Sequence, residues 1–312
     1  YRQRFRKLRN GWLWKMQNVQ AWHEISRQIS AATNCQFKVR GTDAIGGGCI
    51  NQAYRITDGA QRYFVKLNSP GSLAMFEAES AGLMEIHLSH TIRVPLPVCY
   101  GQNNQAAWLV LEYLDFNTTP SGKASDFGIH LAAMHRTVSS QFGWIRDNTI
   151  GQTPQINTAS SDWIDFWKMH RLGYQLDLAK TNGFNGKLQK LGEQLLSDLD
   201  KFFSGVTPSP SLLHGDLWSG NYAYDDAKNP VLFDPAIYYG DREADIAMTE
   251  LFGGFPVDFY SAYRCDYPLD SGYNIRKTVY NLYHILNHLN LFGSSYRHQA
   301  EQMMDQLLAE IR

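Results

Sequence analysis

The residue pattern of this chain changes character once, near Leu114, and that change constrains the fold more than any other feature. Up to Leu114 the chain reads as strands around one main helix. From Ser125 onward it reads as helices interrupted by a single ribbon of short strands. The leading half opens on an amphipathic stretch with Val19, Trp22, Ile25 and Ile29 at helical spacing. Strand-like segments follow at Phe37–Gly41, Cys49–Thr57 and Arg62–Asn68, separated by glycines and by "DGAQ". The stretch Ser72–Leu88 places Leu73, Phe76, Leu83 and Ile86 near one helical face, with Ser72 as its expected N-cap and Pro95 and Pro97 as its stop. "AWLVLEYL" (Ala107–Leu114) then reads as a strand buried on both sides.

In the trailing half, Ser125–Val138, Asp162–Ala179, Lys187–Phe203, Glu243–Phe252, Ile275–Phe292 and Tyr296–Ile311 carry helical patterns. The segment Gln141–Ser160 reads as a long polar loop, a kind that is often functional. The expected division is a basic tail over 1–18, a first lobe over 19–114 and a second over 115–312. The tail holds Arg2, Arg4, Arg6, Lys7, Arg9 and Lys15 with no acid, while the whole chain has a net charge of −1. A basic face for nucleic acid is thus confined to a segment that reads as a disordered extension. No apolar run approaches the roughly 20 residues needed to cross a bilayer. Four cysteines, Cys35, Cys49, Cys99 and Cys265, lie far apart with no metal spacing, as in a reducing compartment such as the cytoplasm.

The ribbon "LLHGDLWSGNYAYDDAKNPVLFDPA" (Leu212–Ala236) carries the chemistry. Phosphoryl transfer needs a carboxylate to take the acceptor's proton, hard oxygen ligands for magnesium, and a cation on the phosphates. Asp216 and Asn221 stand five positions apart, and Asp234 follows the strand-like "PVLF". That spacing is the kinase arrangement of a base and two metal ligands. His214 reads as a structural residue bonding the loop backbone.

The first lobe has the parts for a nucleotide. "AIGGGCINQAYRI" (Ala44–Ile56) is a Gly-rich turn whose Gly46, Gly47 and Gly48 would lay backbone N–H groups over phosphates, although Asn51 stands where a third spaced glycine would be. Lys66 on the following strand suits a phosphate-contacting lysine, with Glu77 and Glu79 competing as its partner and Glu79 favoured. Glu112, Tyr113 and Leu114 read as the hinge where backbone groups meet adenine. Cys49, at the tip of the turn near Lys66, reads as either an incidental loop cysteine or a redox switch that bridges two molecules.

Several motifs, "HGDLWSGN", "FDPAIYYGDREADIAM", "FGGF", "MFEAES" and "LNHLNLFG", resemble the fructosamine kinase (ketosamine-3-kinase) family from about Val19 to the C-terminus. Trp218 and "YYGDRE" (Tyr238–Glu243) separate that family from aminoglycoside and choline kinases, its relatives. The resemblance implies an α+β, two-lobed protein-kinase-like fold, with a small antiparallel-sheet N-lobe holding one main helix and a larger, mostly helical C-lobe. It implies a phosphotransferase with an alcohol acceptor, using ATP and Mg2+ on the sugar 3-hydroxyl of a fructosamine or ribulosamine. The acceptor would be a small molecule or a glycated protein side chain, and the unstable product would release the amine. By the same resemblance Asp216 is the base, Asn221 and Asp234 are metal ligands, and Lys66 and Glu79 form the phosphate-lysine pair. Asp245 braces the catalytic loop, Tyr238, Asp241 and Arg242 shape the acceptor pocket, and Trp218 or Trp144 stacks on the sugar. The loop Phe142–Asn157 lies on the acceptor side. No nucleic acid or membrane partner is expected, and the chain would be a monomer or homodimer. The alternatives are another hydroxyl kinase of the same fold and a nucleotide-binding pseudokinase.

Overall fold

The computed structural model describes residues 21–46, 50–116 and 122–311. Gly47, Gly48, Cys49 and the 1–18 tail lie outside the described residues. The chain divides into two units, one running through Met84 and resuming over Pro95–Asp115, the other formed by Glu85–Val94 and Phe116–Arg312.

The first unit is built on a five-stranded antiparallel sheet in the order β1-β2-β3-β5-β4. Its strands are β1 (Gly41–Ile45), β2 (Gln52–Thr57), β3 (Arg62–Asn68), β4 (Pro97–Gln102) and β5 (Ala107–Glu112). Every residue of β5 from Ala107 to Leu111 is buried, because the strand lies between β3 and β4 and both its faces are covered. A helix over residues 21–33, α1, lays Ala21, Ile25 and Ile29 against Ile56, Val65, Leu67, Trp108 and Val110. Side chains alternate along a strand, so Lys66, between Val65 and Leu67, points to the opposite face. There α2 (Leu73–Leu88), which buries Phe76, Leu83 and Ile86, supplies its partner.

Three local expectations are corrected in this unit. Phe37–Gly41 is not a strand, since Ser26 and Ser30 hydroxyls accept the N–H groups of Val39 and Phe37 in place of a ladder. Pairing begins only at Gly41. Ser72 does not cap α2: it closes a 3-10 turn over Pro70–Ser72 that runs into the helix at Leu73 with helical angles. Pro97 opens an edge strand, where a missing donor is tolerated, and a register shift follows it before Cys99.

The second unit begins its helices with α3 (Ala124–His135). The expected loop over 141–160 contains a hairpin of β6 (Asn148–Ile150) and β7 (Thr153–Gln155). Next come α4 (Trp163–Trp167), a π-helical turn over Lys168–Gly173, α5 (Tyr174–Thr181) and α6 (Lys187–Ser197). The ribbon forms β8 (Ser211–Leu213), β9 (Tyr222–Tyr224), β10 (Pro230–Leu232) and β11 (Tyr238–Gly240), paired β9 with β10 and β8 with β11. The chain ends with α7 (Glu243–Leu251), α8 (Val257–Asp266), α9 (Tyr273–Phe292) and α10 (Arg297–Glu310). Helix α8 has almost no apolar periodicity, burying only Phe259 and Tyr263, yet it packs closely on α3. The approach works because Gly128 has no side chain: a Cβ there would stand 2.4 Å from the carbonyl oxygen of Phe259. Among the described residues no helix is long and apolar enough to cross a membrane.

Candidate active site

The two strand pairs of the ribbon bring its polar residues together. Between β8 and β9 the loop turns at Gly215, whose φ of +81° is in the left-handed region. The turn is tight, since a Cβ on Gly215 would lie 2.1 Å from the carbonyl oxygen of Ala236. Asn221 closes the loop by donating its side-chain amide to the carbonyl oxygen of Asp216 at 2.8 Å and to its carboxylate at 3.2 Å. The β9–β10 hairpin then delivers Asp234, which is exposed and held at φ 57°, an angle that a short polar side chain tolerates better than most. Strain of that kind concentrates at functional sites.

Electrostatics link these groups. Burial first, and the charge of Asp234 second, raise the Asp216 carboxyl to about 7 against the opposing Asn221 hydrogen bond. Two carboxylates that sense one another, beside a carboxamide whose nitrogen is committed to Asp216, form a hard-oxygen donor set suited to magnesium. Among the described residues no group of three His, Cys, Asp or Glu forms a cage. Magnesium in such enzymes takes its remaining ligands from phosphates and water, so the residues present fit it.

Asp245 supports the loop from α7. Its carboxylate accepts the N–H groups of His214 and Gly215 at 2.7 and 2.9 Å. Its oxygen also lies 3.2 Å from His135 Nε2, and His135 Nδ1 lies 2.7 Å from the Tyr263 hydroxyl. Asp245 therefore accepts from Nε2–H, and Tyr263 donates to Nδ1 of a neutral imidazole. Burial pushes His135 down. For Asp245 burial pushes up, but the bonds to His135 and the loop outweigh it and the carboxyl lies below its ordinary range. His214, also pushed down by burial, contacts the Phe233 carbonyl at 3.0 Å and takes the Asp216 N–H at 3.3 Å, the structural part read for it.

In the first unit Lys66, which is buried, pairs with the partly buried Glu79. Gly46 is exposed at the end of β1, with open space where a Cβ would sit. Glu112 uses its carboxylate on the Leu96 N–H at 2.8 Å, Tyr113 lies under the Arg62 guanidinium, and Leu114 follows in irregular backbone.

The residues expected at the acceptor pocket separate into two groups. Trp218 is 38% exposed on the loop between β8 and β9, its ring lying over Gly220. Tyr238, Asp241 and Arg242 are interior instead. Tyr238 lies under the Arg171 guanidinium at 4.0 Å. Asp241 accepts from the Tyr280 hydroxyl and from the Glu243 N–H, and Arg242 bonds the Tyr267 and Pro268 carbonyls. The polar atoms of Asp241 and Arg242 are thus engaged in the interior. Trp144 is also buried, with its indole N–H unpartnered. His135 and Tyr263 escaped the sequence reading because a lone histidine on an apolar face, and a tyrosine in a weak pattern, carry no motif.

A sequence model of the fructosamine kinase family matches residues 21–310. A Synechocystis protein named "Probable ketoamine kinase" is 48% identical over 292 residues, covering 92% of this chain and 97% of that protein. The Arabidopsis thaliana "Protein-ribulosamine 3-kinase, chloroplastic" is 44% identical, covering 86% of this chain and 83% of its own. A crystal structure from Haemophilus somnus 129PT, provisionally named a fructosamine-3-kinase, superposes with a TM-score of 0.83 at 31% identity, over 91% of this chain and 96% of that one. The aminoglycoside phosphotransferase APH(4)-Ia shares the fold, with a TM-score of 0.62 at 14% identity over 91% of this chain and 98% of its own. With the match spanning nearly all described residues, the chain belongs to the fructosamine kinase family.

Proposed function

We propose that this protein is an ATP-dependent ketosamine kinase that phosphorylates the sugar 3-hydroxyl of fructosamines or ribulosamines and so promotes loss of the sugar from the amine. The observation that carries the reading is Asp216, a carboxyl raised to about 7 and held by Asn221 at 2.8 and 3.2 Å. A general base works best when its pKa lies near the working pH. Asp216 takes the proton of the 3-hydroxyl as that oxygen bonds to the γ-phosphorus, and the bond from phosphorus to the β–γ bridging oxygen breaks to release ADP. Asn221 and Asp234 would hold magnesium, which when bound neutralises charge on the phosphate oxygens. Lys66, fixed by Glu79, is the residue suited to the phosphates, with backbone from Gly46 and from Glu112 to Leu114 suited to the rest of the nucleotide. Trp218, exposed on the catalytic loop, offers a face for the sugar. The scattered cysteines favour the cytoplasm, although the plant relative is named as chloroplastic.

The test is incubation with ATP, magnesium and a matched fructosamine–ribulosamine pair, read by mass spectrometry. Phosphorylation of either supports the reading and ranks the two. Transfer to an aminoglycoside or choline with neither ketosamine touched would replace it.

A further inference from the structure

Arg171 is fully buried in the π-helical turn, and no carboxylate among the described residues pairs with it. A charge in the interior costs several kcal/mol unless its donors are used. Here Nη1 donates to the Ile156 carbonyl at 2.7 Å and Nη2 to Asn157 Oδ1 at 2.8 Å, while Nε has no partner. The planar cation also lies on Tyr238. From Asn157 an amide chain continues. Its Nδ2 donates to Asn148 Oδ1 at 3.0 Å, which also accepts Gln155 Nε2 at 2.8 Å. Gln155 Nε2 donates in turn to the Ala236 carbonyl at 2.9 Å, and Asn148 Nδ2 to the Ile237 carbonyl at 2.8 Å. Those carbonyls lie two and three residues beyond Asp234, and the Ala236 N–H is bonded to the His214 carbonyl at 2.8 Å. At its other end the chain holds the Phe142–Asn157 segment, through Asn157 Nδ2 on the Arg146 carbonyl at 3.1 Å.

We propose that Arg171 and Gln155 are positioning residues in one hydrogen-bonded chain, which sets the backbone after Asp234 and the Phe142–Asn157 segment from a single buried cation. The proposal rests on the ketosamine-kinase reading for its kinetic consequence but not for its structural one. Both residues are buried, so the effect is indirect: the chain fixes where Asp234 and the segment stand. Interior hydrogen bonds of this kind couple, because breaking one link releases the groups beyond it.

The test compares Arg171→Met, Gln155→Met and the double variant, with Arg171→Lys as a milder fourth. Three quantities are measured: melting temperature, hydrogen exchange of peptides over 142–157 and 234–237, and kinetics with varied ketosamine and varied MgATP. Each single variant is expected to speed exchange in both peptides and to lower ketosamine kcat/KM roughly tenfold, chiefly through KM, with the double little worse than the worse single. Arg171→Lys, which keeps the charge without the fork, should follow Arg171→Met. A purely structural loss would lower kcat for both substrates alike and leave KM unchanged, and it would overturn the proposal. Multiplicative effects in the double variant, or wild-type exchange in any folded single variant, would overturn it too. If wild type fails to phosphorylate ketosamines, the functional reading falls while the exchange data still decide the chain. If Arg171→Met does not fold, Gln155→Met and Arg171→Lys decide it by the same measures.

Discussion

Asn221 reaches back five residues to bond both the backbone carbonyl and the carboxylate of Asp216. One side chain thereby sets the loop's shape and biases the protonation of Asp216, the proposed base. The bond favours the ionised form, whereas burial and the charge of Asp234 oppose it.

Two substitutions should therefore move Asp216 in opposite directions. Asn221→Ala removes the hydrogen bond and raises the pKa above its value of about 7, whereas Asp234→Asn removes a like charge and lowers it. Carbon NMR of the aspartate carboxyls in metal-free protein can follow both. Shifts in the same direction would mean that these two neighbours do not set the base. In wild type, turnover limited by this base should rise with pH through the carboxyl's titration, and Asp216→Asn should abolish most turnover while leaving ATP affinity within a few fold.

Gly215→Ala should cost about 2–5 kcal/mol, combining a left-handed angle with a side chain driven into Ala236. The clash is with backbone at 2.1 Å, so no rotamer relieves it. Urea unfolding checks the cost. A variant within 1 kcal/mol of wild type, a limit set by the roughly 0.5 kcal/mol typical of neutral surface changes, would show that the ribbon relaxes there.

The ribbon was legible because its chemistry is tied to spacing: a five-residue interval and a strand ending in aspartate survive without knowledge of the fold. The helices with steady apolar periodicity, such as α9, were legible for the same kind of reason. What escaped depended on partners distant in sequence. Helix α8 is held by Gly128 on α3, and Phe37–Gly41 is bonded by serines of α1 rather than by a neighbouring strand. The family motif points Asp241 and Arg242 to the acceptor pocket, but it does not announce that both are buried. Tyr280 lies 39 positions from Asp241 and the Tyr267 carbonyl 25 from Arg242, so nothing local announced their partners.

Glu243 and Arg276 form a buried, two-bond ion pair between α7 and α9, at 2.7 and 2.9 Å. Removing one partner leaves the other charge uncompensated, so Glu243→Gln or Arg276→Met alone should cost about 3–5 kcal/mol. Replacing both together with apolar residues of similar volume should recover most of that loss, since the pair's attraction is offset by its desolvation. Chemical denaturation of the two singles and the double Glu243→Leu/Arg276→Met decides the point. A double variant as unstable as the sum of the singles would show that the two residues contribute independently, with no coupling between them.

Acid should destabilise this protein gently, and His284 should account for part of the effect. Burial first, and the charge of His288 second, push His284 down to about 3, and burial also lowers His135 and His214. Below pH 6.5 the unfolded chain protonates these imidazoles while the native state does not, so each withdraws stability as pH falls, at up to about 1.4 kcal/mol per pH unit. Asp216 and Asp241 act in the opposite sense, because burial raises both carboxyls to about 7. Between pH 7 and their unfolded value of 3.8, the native state holds protons that the unfolded chain lacks, and stability is gained as pH falls. The two carboxyls offset only part of what the three imidazoles withdraw, which leaves a moderated slope. His284→Asn removes one proton from the destabilising side without touching the carboxyls. Lost packing lowers its melting temperature at every pH, so the informative quantity is the drop between pH 7.5 and pH 5. That drop should be smaller in the variant than in wild type, and a drop as large or larger would show that His284 is not held neutral in the native state.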